Sequence, residues 1–285
     1  MQILTHRGLD SGKKEYFAES SCEAFLDQLG RGFGLEFDLQ FTKEGEIIIS
    51  HDFTLDRISG GKITGPIKNF SRSEILSFDF NNCHLTDLET LLGAIGKTDP
   101  RPICAVHIKS GSQEQKYLKV LFEKIKGIDP EKFILFDLKP RAAEYLKSLN
   151  QALNLAPSVA HPYDIKRYNK AVGGTLMSVN DAVSYRNLYS WVWLDEWDLS
   201  DEGGKKKTFY NAEVFETLRG QGFKISLVTP ELHGSSPGLL GGEAHPDAKN
   251  KEILTKRFKE ILALKPDALC TDYPDLVRDL NNNLK

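Results

Sequence analysis

In the stretch GLEFDLQ, Glu36 and Asp38 stand two residues apart, interleaved with Leu35, Phe37 and Leu39. On an extended strand successive side chains point to opposite faces, so the two carboxylates share one face and the apolar residues take the other. Carboxylates that close repel one another, and burial raises the penalty. Such a pair calls for a compensating cation, most simply a hard divalent metal. An edge strand with both acids in water would explain an isolated pair equally well.

The company of the pair argues for the first reading. A short apolar run ends at His6-Arg7-Gly8, and the turn after the acidic strand delivers His51-Asp52. Two imidazoles suit general acid and general base work near neutral pH. Arg7 offers a bidentate fork for phosphate oxygens, and Gly8 lets the backbone approach a ligand closely. A third run ends in His107-Ile-Lys109, which places a possible ligand and a cation on one face. Any one of these histidines alone would read as an ordinary hydrogen-bonded residue, but several such sets fall at successive strand or turn ends.

The elements that must position them alternate. Eight apolar, β-branched runs read as strands: 2–5, 33–39, 103–109, 133–138, 154–160, 190–195, 224–230 and 268–271. Segments of helical period lie between them, among them SCEAFLDQLG, QEQKYLKVLFEKIK, PRAAEYLKSLNQAL, NAEVFETLRGQG and KEILTKRFKEILAL. Eight strand–helix units in one domain over 1–285 predict an α/β fold of the (β/α)8 TIM-barrel type, with the site at the carboxyl ends of the strands. A doubly wound open sheet is the rival. Extra chain follows the second strand: GEIIISHDFTL reads as a short strand turning back at Gly45, and turn-rich residues 53–100 read as a small insertion before the third strand. Residues 201–208 and 233–250 read as long loops after the sixth and seventh strands.

The chain's 285 residues carry a net charge of -3 and 40% hydrophobic residues. That composition supports a sizeable core and argues against bulk attraction to nucleic acid. Any anion recognition must be local. Cys22, Cys83, Cys104 and Cys270 are scattered without a CxxC pair, as expected of reduced thiols. MQIL runs straight into THRG with no leader pattern, and no apolar run reaches spanning length, so a cytoplasmic protein without membrane insertion is the expectation.

HRG, the ExD of LEFDLQFTKEG and the HD of IIISHDFTLDR, in that order and spacing, resemble the signature of the glycerophosphodiester phosphodiesterases. TDYPD at 271–275 is similar to that family's last strand, and LTDLETLL at 85–92 to the segment before its third. The resemblance implies a barrel with an insertion after the second strand and hydrolysis of a small-molecule phosphodiester with a divalent metal, Mg²⁺ or Ca²⁺. It makes His6 and His51 the acid/base pair, Arg7 and Lys109 the phosphate contacts, and Glu36 and Asp38 metal ligands. Glu19 fits the position of the family's PEN glutamate. One departure stands out: His107 replaces the carboxylate usually found two residues before the lysine. Either His107 ligates, which would admit Mn²⁺, or a water fills the position, or Asp137, Asp195 or Glu196 takes over. A lyase closing a cyclic phosphate and a binding or regulatory barrel are the alternative functions. Trp193, Glu231 and His233 sit where they could read a substrate head group, while His84, His161 and His245 read as ordinary surface or loop residues.

Overall fold

The computed structural model describes residues 1–100, 102–197, 208–232 and 245–284. Eleven strands lie among them: β1 Gln2–His6, β2 Gly34–Phe41, β3 Ile47–Ile49, β4 Cys104–His107, β5 Phe133–Phe136, β6 Asn154–Leu155, β7 Ser158–Ala160, β8 Leu176–Met177, β9 Trp191–Asp195, β10 Lys224–Val228 and β11 Ala268–Thr271. They form one sheet in the order β6-β5-β4-β2-β1-β11-β10-β9-β7-β8, with β3 folded back on β2. The β2–β3 pair is antiparallel and the other pairs are parallel.

This is a curled parallel sheet with flanking helices, and its eleven strands differ from the eight expected. The expected fifth strand, 154–160, is broken at Ala156-Pro157 into β6 and β7, because proline has no N–H to give a ladder. The two pieces then stand at different places in the strand order: β6 pairs with β5, and β7 with β8 and β9. The hairpin strand β3 and the two-residue β8 complete the count.

Alternation along the strands sorts the core into two faces. Leu35, Phe37 and Leu39 of β2, Val106 of β4 and Leu135 of β5 pack outward against the helices. The helices are α1 Cys22–Gly30, α2 Arg72–Ser77, α3 Leu88–Lys97, α4 Gln115–Ile125, α5 Pro140–Leu149, α6 Pro162–Tyr168, α7 Val179–Ser184, α8 Ala212–Gly220, α9 Lys251–Ala263 and α10 Pro274–Asn282. Side-chain caps start several of them, as where Ser21 accepts from Ala24 N, Asp87 from Thr90 N and Asn250 from Ile253 N. On the other face Leu4, Ala105, Ile134, Phe136, Trp191, Trp193, Ala268 and Cys270 form a separate inner cluster. Glu36 and Asp38 belong to this inner face, above an apolar floor.

Residues 53–100 divide between two environments. Leu55, Ile67, Ile75, Phe80 and Leu85 pack with Ile48 in a third cluster, whereas Leu88, Leu91 and Ile95 of α3 join the main core. The small cluster is tied to the sheet through β3, whose Ile49 N–H donates to Thr86 O at 2.9 Å.

Register turns these elements into a site. Parallel pairing sets His6 beside Glu36 and Asp38 beside His107. Gly34 opens β2 where β1 and β4 converge, and a β-carbon there would lie 2.0 Å from Ile103 O and 2.6 Å from Leu4 Cδ2. Gly34→Ala is therefore expected to destabilise the fold by about 1–3 kcal/mol or more, since backbone must shift to admit the methyl. Chemical denaturation reads this directly, and an unchanged unfolding midpoint would show that the strands separate freely at this point.

Candidate active site

Glu36 and Asp38 are both buried in the middle of β2. Burial and the neighbouring Asp38 push the Glu36 carboxyl above its usual range, against the pull of His6, His107 and Arg7. Burial acts on Asp38 in the same sense, but Lys109, His51 and His107 outweigh it and hold Asp38 well below the usual carboxylate range. Three cationic or potentially cationic groups converge on Asp38. Lys109 Nζ lies 3.1 Å and His107 Nδ1 2.8 Å from Oδ1, and Arg7 Nε lies 3.6 Å from Oδ2.

Among the described residues, ligand atoms of Glu36, Asp38 and His107 lie within 4.8 Å of one another, a grouping that could hold a metal ion. Glu36 Oε2 and Asp38 Oδ2 are buried and accept no hydrogen bond. Buried carboxylate oxygens left in that state are suited to a hard cation. His107 fits differently. Its Nε2 lies 3.3 Å from Asp137 Oδ2, so the ring is held between two carboxylates. Burial alone would push its proton affinity down, but the bonds to Asp137 and Asp38 win and push the pKa up to about 9. A protonated ring has no lone pair to offer a metal. Of the alternatives to His107, Asp137 contacts it, while Glu196 is turned away: it accepts from Phe209 N and Tyr210 N and pairs with Arg257 Nη2 at 2.5 Å. Asp195 ends β9 opposite Ala160.

The two acid/base candidates share one arrangement. His6 Nδ1 lies 3.0 Å from Asp272 Oδ1, and His51 Nδ1 lies 2.6 Å from Asp52 Oδ1. Ionised carboxylates only accept, so each ring donates from Nδ1 and keeps Nε2 for other work. Burial pushes His51 below its ordinary value, against the pull of Asp38 and Asp52.

Strand ends and loops complete the surround. Arg7 leaves β1 in the left-handed region at φ 54°, which turns its side chain back over the sheet end. Its backbone is pinned on both sides, N–H to Glu36 O at 3.0 Å and carbonyl to Ser20 N at 2.8 Å. Arg7 Nη1 bonds Glu19 Oε2 at 3.0 Å, and Arg57 bonds both Glu19 and Asp52, the latter through Nε at 2.6 Å. Lys109 Nζ also donates to His51 O. His6, Arg7, Glu36, Asp38, His51, His107 and Lys109 are thus drawn into one connected set.

The sequence profile of the glycerophosphoryl diester phosphodiesterase family matches residues 6–276, from the first histidine of this set to the helix after β11. The chain belongs to this family.

A glycerophosphodiester phosphodiesterase of Caldanaerobacter subterraneus subsp. tengcongensis is 30% identical over 135 residues, 42% of this chain. That match spans 52% of the relative, about half its length. The solved glycerophosphodiester phosphodiesterase of Thermotoga maritima is similar in fold, with a TM-score of 0.61 at 18% identity over 98% of this chain and 97% of that one. A phosphodiesterase of Oleispira antarctica, solved in complex with the product sn-glycerol-3-phosphate, gives a TM-score of 0.63 at 14% identity over 99% and 97%.

Three residues of this family member's site were not singled out in its sequence. Asp52 and Asp272 stand in the quoted HD and TDYPD motifs, but their bonds to the histidines appear only in three dimensions. Arg57, in TLDR, gives no sign in sequence that it bridges Glu19 and Asp52. Trp193 is buried and stacks on Phe136 at 3.9 Å between centroids, and Phe136 on His107 at 4.7 Å, so Trp193 supports the site from below. His233 and residues 201–207 and 233–244 of the two long loops lie outside the described residues.

Glu231 is buried rather than presented to a ligand. Burial, and then Asp272, push its carboxyl up to about 7. Between the unfolded value near 4.5 and the folded value, the native chain keeps a proton that the unfolded chain has released, so stability falls as pH rises through this window. The loss is on the order of 3 kcal/mol and complete above the folded pKa. Glu231→Gln cannot ionise, and its Tm relative to wild type is expected to climb by a few degrees from pH 5 to pH 8; a gap that stays constant would mean that Glu231 carries its charge without penalty. For the carboxylate pair, Glu36→Gln and Asp38→Asn should each weaken Mn²⁺ binding by about tenfold or more, read by electron paramagnetic resonance of free Mn²⁺. Undiminished binding in both would place the ion elsewhere.

Proposed function

We propose that this protein hydrolyses a glycerophosphodiester, using His6 and His51 as its acid/base pair and one divalent metal at Glu36 and Asp38. The observation that carries the reading is the pairing of two carboxylate-oriented imidazoles with a buried, incompletely bonded carboxylate pair that Arg7 and Lys109 flank. The Oleispira antarctica relative, with its bound sn-glycerol-3-phosphate, supports this class of substrate.

Glu36 and Asp38 would hold Mg²⁺ or Ca²⁺, which would supply Lewis acidity toward a phosphate oxygen and the attacking water. We favour these oxygen-preferring ions because His107 is held as an imidazolium between Asp38 and Asp137; Mn²⁺ would gain from His107 only after that proton is lost. Arg7 and Lys109 hold the phosphate and its growing negative charge. His51, with its proton affinity lowered by burial, takes the proton of the nucleophile through Nε2. His6, oriented by Asp272, gives one to the leaving alkoxide.

The same reading extends to the scaffold. We read residues 154–160 as the fifth strand of an eight-stranded barrel interrupted at Pro157. Ala156 N donates to Leu135 O at 2.9 Å on one side, and Trp193 N to Pro157 O at 3.0 Å on the other, which supports closure across the break. Residues 53–100 are then an insertion whose first turns carry Arg57 to the site.

With saturating Mg²⁺ and sn-glycero-3-phosphocholine, His6→Ala and His51→Ala are each expected to lose about 10²- to 10⁴-fold in kcat. Phosphorus NMR of the wild-type reaction should show glycerol phosphate without a lasting cyclic ester. Wild-type turnover in either variant would sink the acid/base assignment, and an accumulating cyclic phosphate would make the protein a lyase.

A further inference from the structure

We propose that Glu231 is a positioning residue for His6, acting through Asp272. The inference rests on the acid/base role given to His6 above.

The chain leaves β10 at Val228 and turns through Thr229-Pro230-Glu231 over the carboxyl end of the sheet. There Glu231 Oε1 gathers three donors from two strand ends. Thr229 Oγ1 lies at 2.6 Å, Thr271 Oγ1 at 2.5 Å and the backbone N–H of Asp272 at 3.0 Å. Two of these, from Thr271 and Asp272, lie at the end of β11, and Asp272 is the residue whose carboxylate receives His6 Nδ1 at 3.0 Å. Thr271 is itself in register with Thr5, the residue before His6. A single carboxyl oxygen in the turn after β10 therefore sets the direction in which Asp272 leaves β11, and Asp272 sets the tautomer and tilt of the His6 ring.

The rest of the carboxyl excludes a direct role with substrate. Glu231 Oε2 is buried and has no hydrogen-bond partner, so no ligand reaches it from solvent. Burial and then the neighbouring Asp272 raise the proton affinity of Glu231, which favours the neutral acid over a second carboxylate beside Asp272. Cys270 and Tyr273 also feel the carboxyl, but neither offers it a countercharge. The amide of glutamine reproduces the neutral acid: its oxygen replaces Oε1 and its nitrogen the unbonded Oε2. Alanine removes the junction altogether.

The test uses the Mg²⁺-loaded full chain, sn-glycero-3-phosphocholine as substrate, and nitrogen-15 NMR of labelled histidine to follow the His6 ring. Glu231→Ala is expected to lower kcat about tenfold or more with KM within about twofold, and to move the His6 Nδ1 resonance from its protonated position toward a tautomer average. Glu231→Gln should restore both. The proposal is overturned if Glu231→Ala keeps wild-type kcat, if kcat falls while the His6 resonance stays in place, or if Glu231→Gln is as impaired as Glu231→Ala. Should Glu231→Ala not fold, Thr271→Val removes one donor to Oε1 and is read by the same two signals, an unmoved resonance and rate counting against the proposal. His6→Ala separates the two readings: wild-type turnover there overturns both, whereas an inactive His6→Ala beside an unaffected Glu231→Ala overturns this one alone.

Discussion

A carboxylate with almost no access to water sits at the centre of this molecule, and most of the site is arranged to make that tolerable. Asp38 on the inner face of the sheet would cost several kcal/mol if left uncompensated. Lys109 and His107 approach it from the end of β4 and Arg7 from the end of β1, and His51 contributes from a third segment. The compensation runs both ways. Without Asp38, Arg7 would lose one acid partner and keep Glu19, and His107 would lose one and keep Asp137. Charges so interlocked fix one another's positions. The acid pair is also asymmetric: Asp38 takes the cations, while Glu36 is left with a raised proton affinity and an oxygen that accepts nothing. That inequality marks Glu36 as the carboxylate with most to gain from an added positive ion.

Backbone geometry delivers these charges because parallel strands end together. With β1, β2 and β4 in register, His6, Glu36, Asp38 and His107 arrive at one level without any long loop to carry them. The chain then bends sharply where the chemistry begins. Arg7 and Asp137 both occupy the left-handed region, at φ 54° and 67°. For residues with a β-carbon this costs on the order of 1 kcal/mol each. The strain is held in place by hydrogen bonds from neighbouring strands and loops, such as Arg7 N–H to Glu36 O and Gln113 Nε2 to Asp137 O.

How much of this was legible in the sequence follows from the range of the interactions. Alternation in GLEFDLQ placed Glu36 and Asp38 on one face, since a period of two is a local property. The helical segments from Cys22–Gly30 to Lys251–Ala263 were equally visible in their spacing. The run NLAPSVA read as one strand because its apolar content hid the consequence of Pro157, which shows only when both neighbours are known. Leu176–Met177 is too short to carry a period at all. The partners of the histidines divide in the same way: Asp52 adjoins His51, while Asp272 is 266 residues from His6 and meets it only because β11 lies beside β1. His107 was the most ambiguous residue in sequence. Whether an imidazole ligates or acts as a cation depends on its neighbours: Asp137 was one of three acids the sequence offered near His107, and only the structure shows that it bonds the ring while Glu196 does not.

The two histidines differ in what holds them, and the difference follows from the sheet. His6 and Asp272 stand on adjacent strand ends, and the bonds beneath them are direct and buried: Thr271, Thr229 and Glu231 connect the end of β10 to that of β11. His51 belongs to a turn, and its orienting Asp52 is tied through Arg57 to Glu19, a chain of partly exposed ion pairs resting on the small cluster of Leu55, Ile67 and Ile75. Buried neutral and charged bonds on a sheet resist displacement, whereas a surface ion-pair chain on a satellite core yields more readily. A substrate entering between them therefore meets one fixed wall and one that can give.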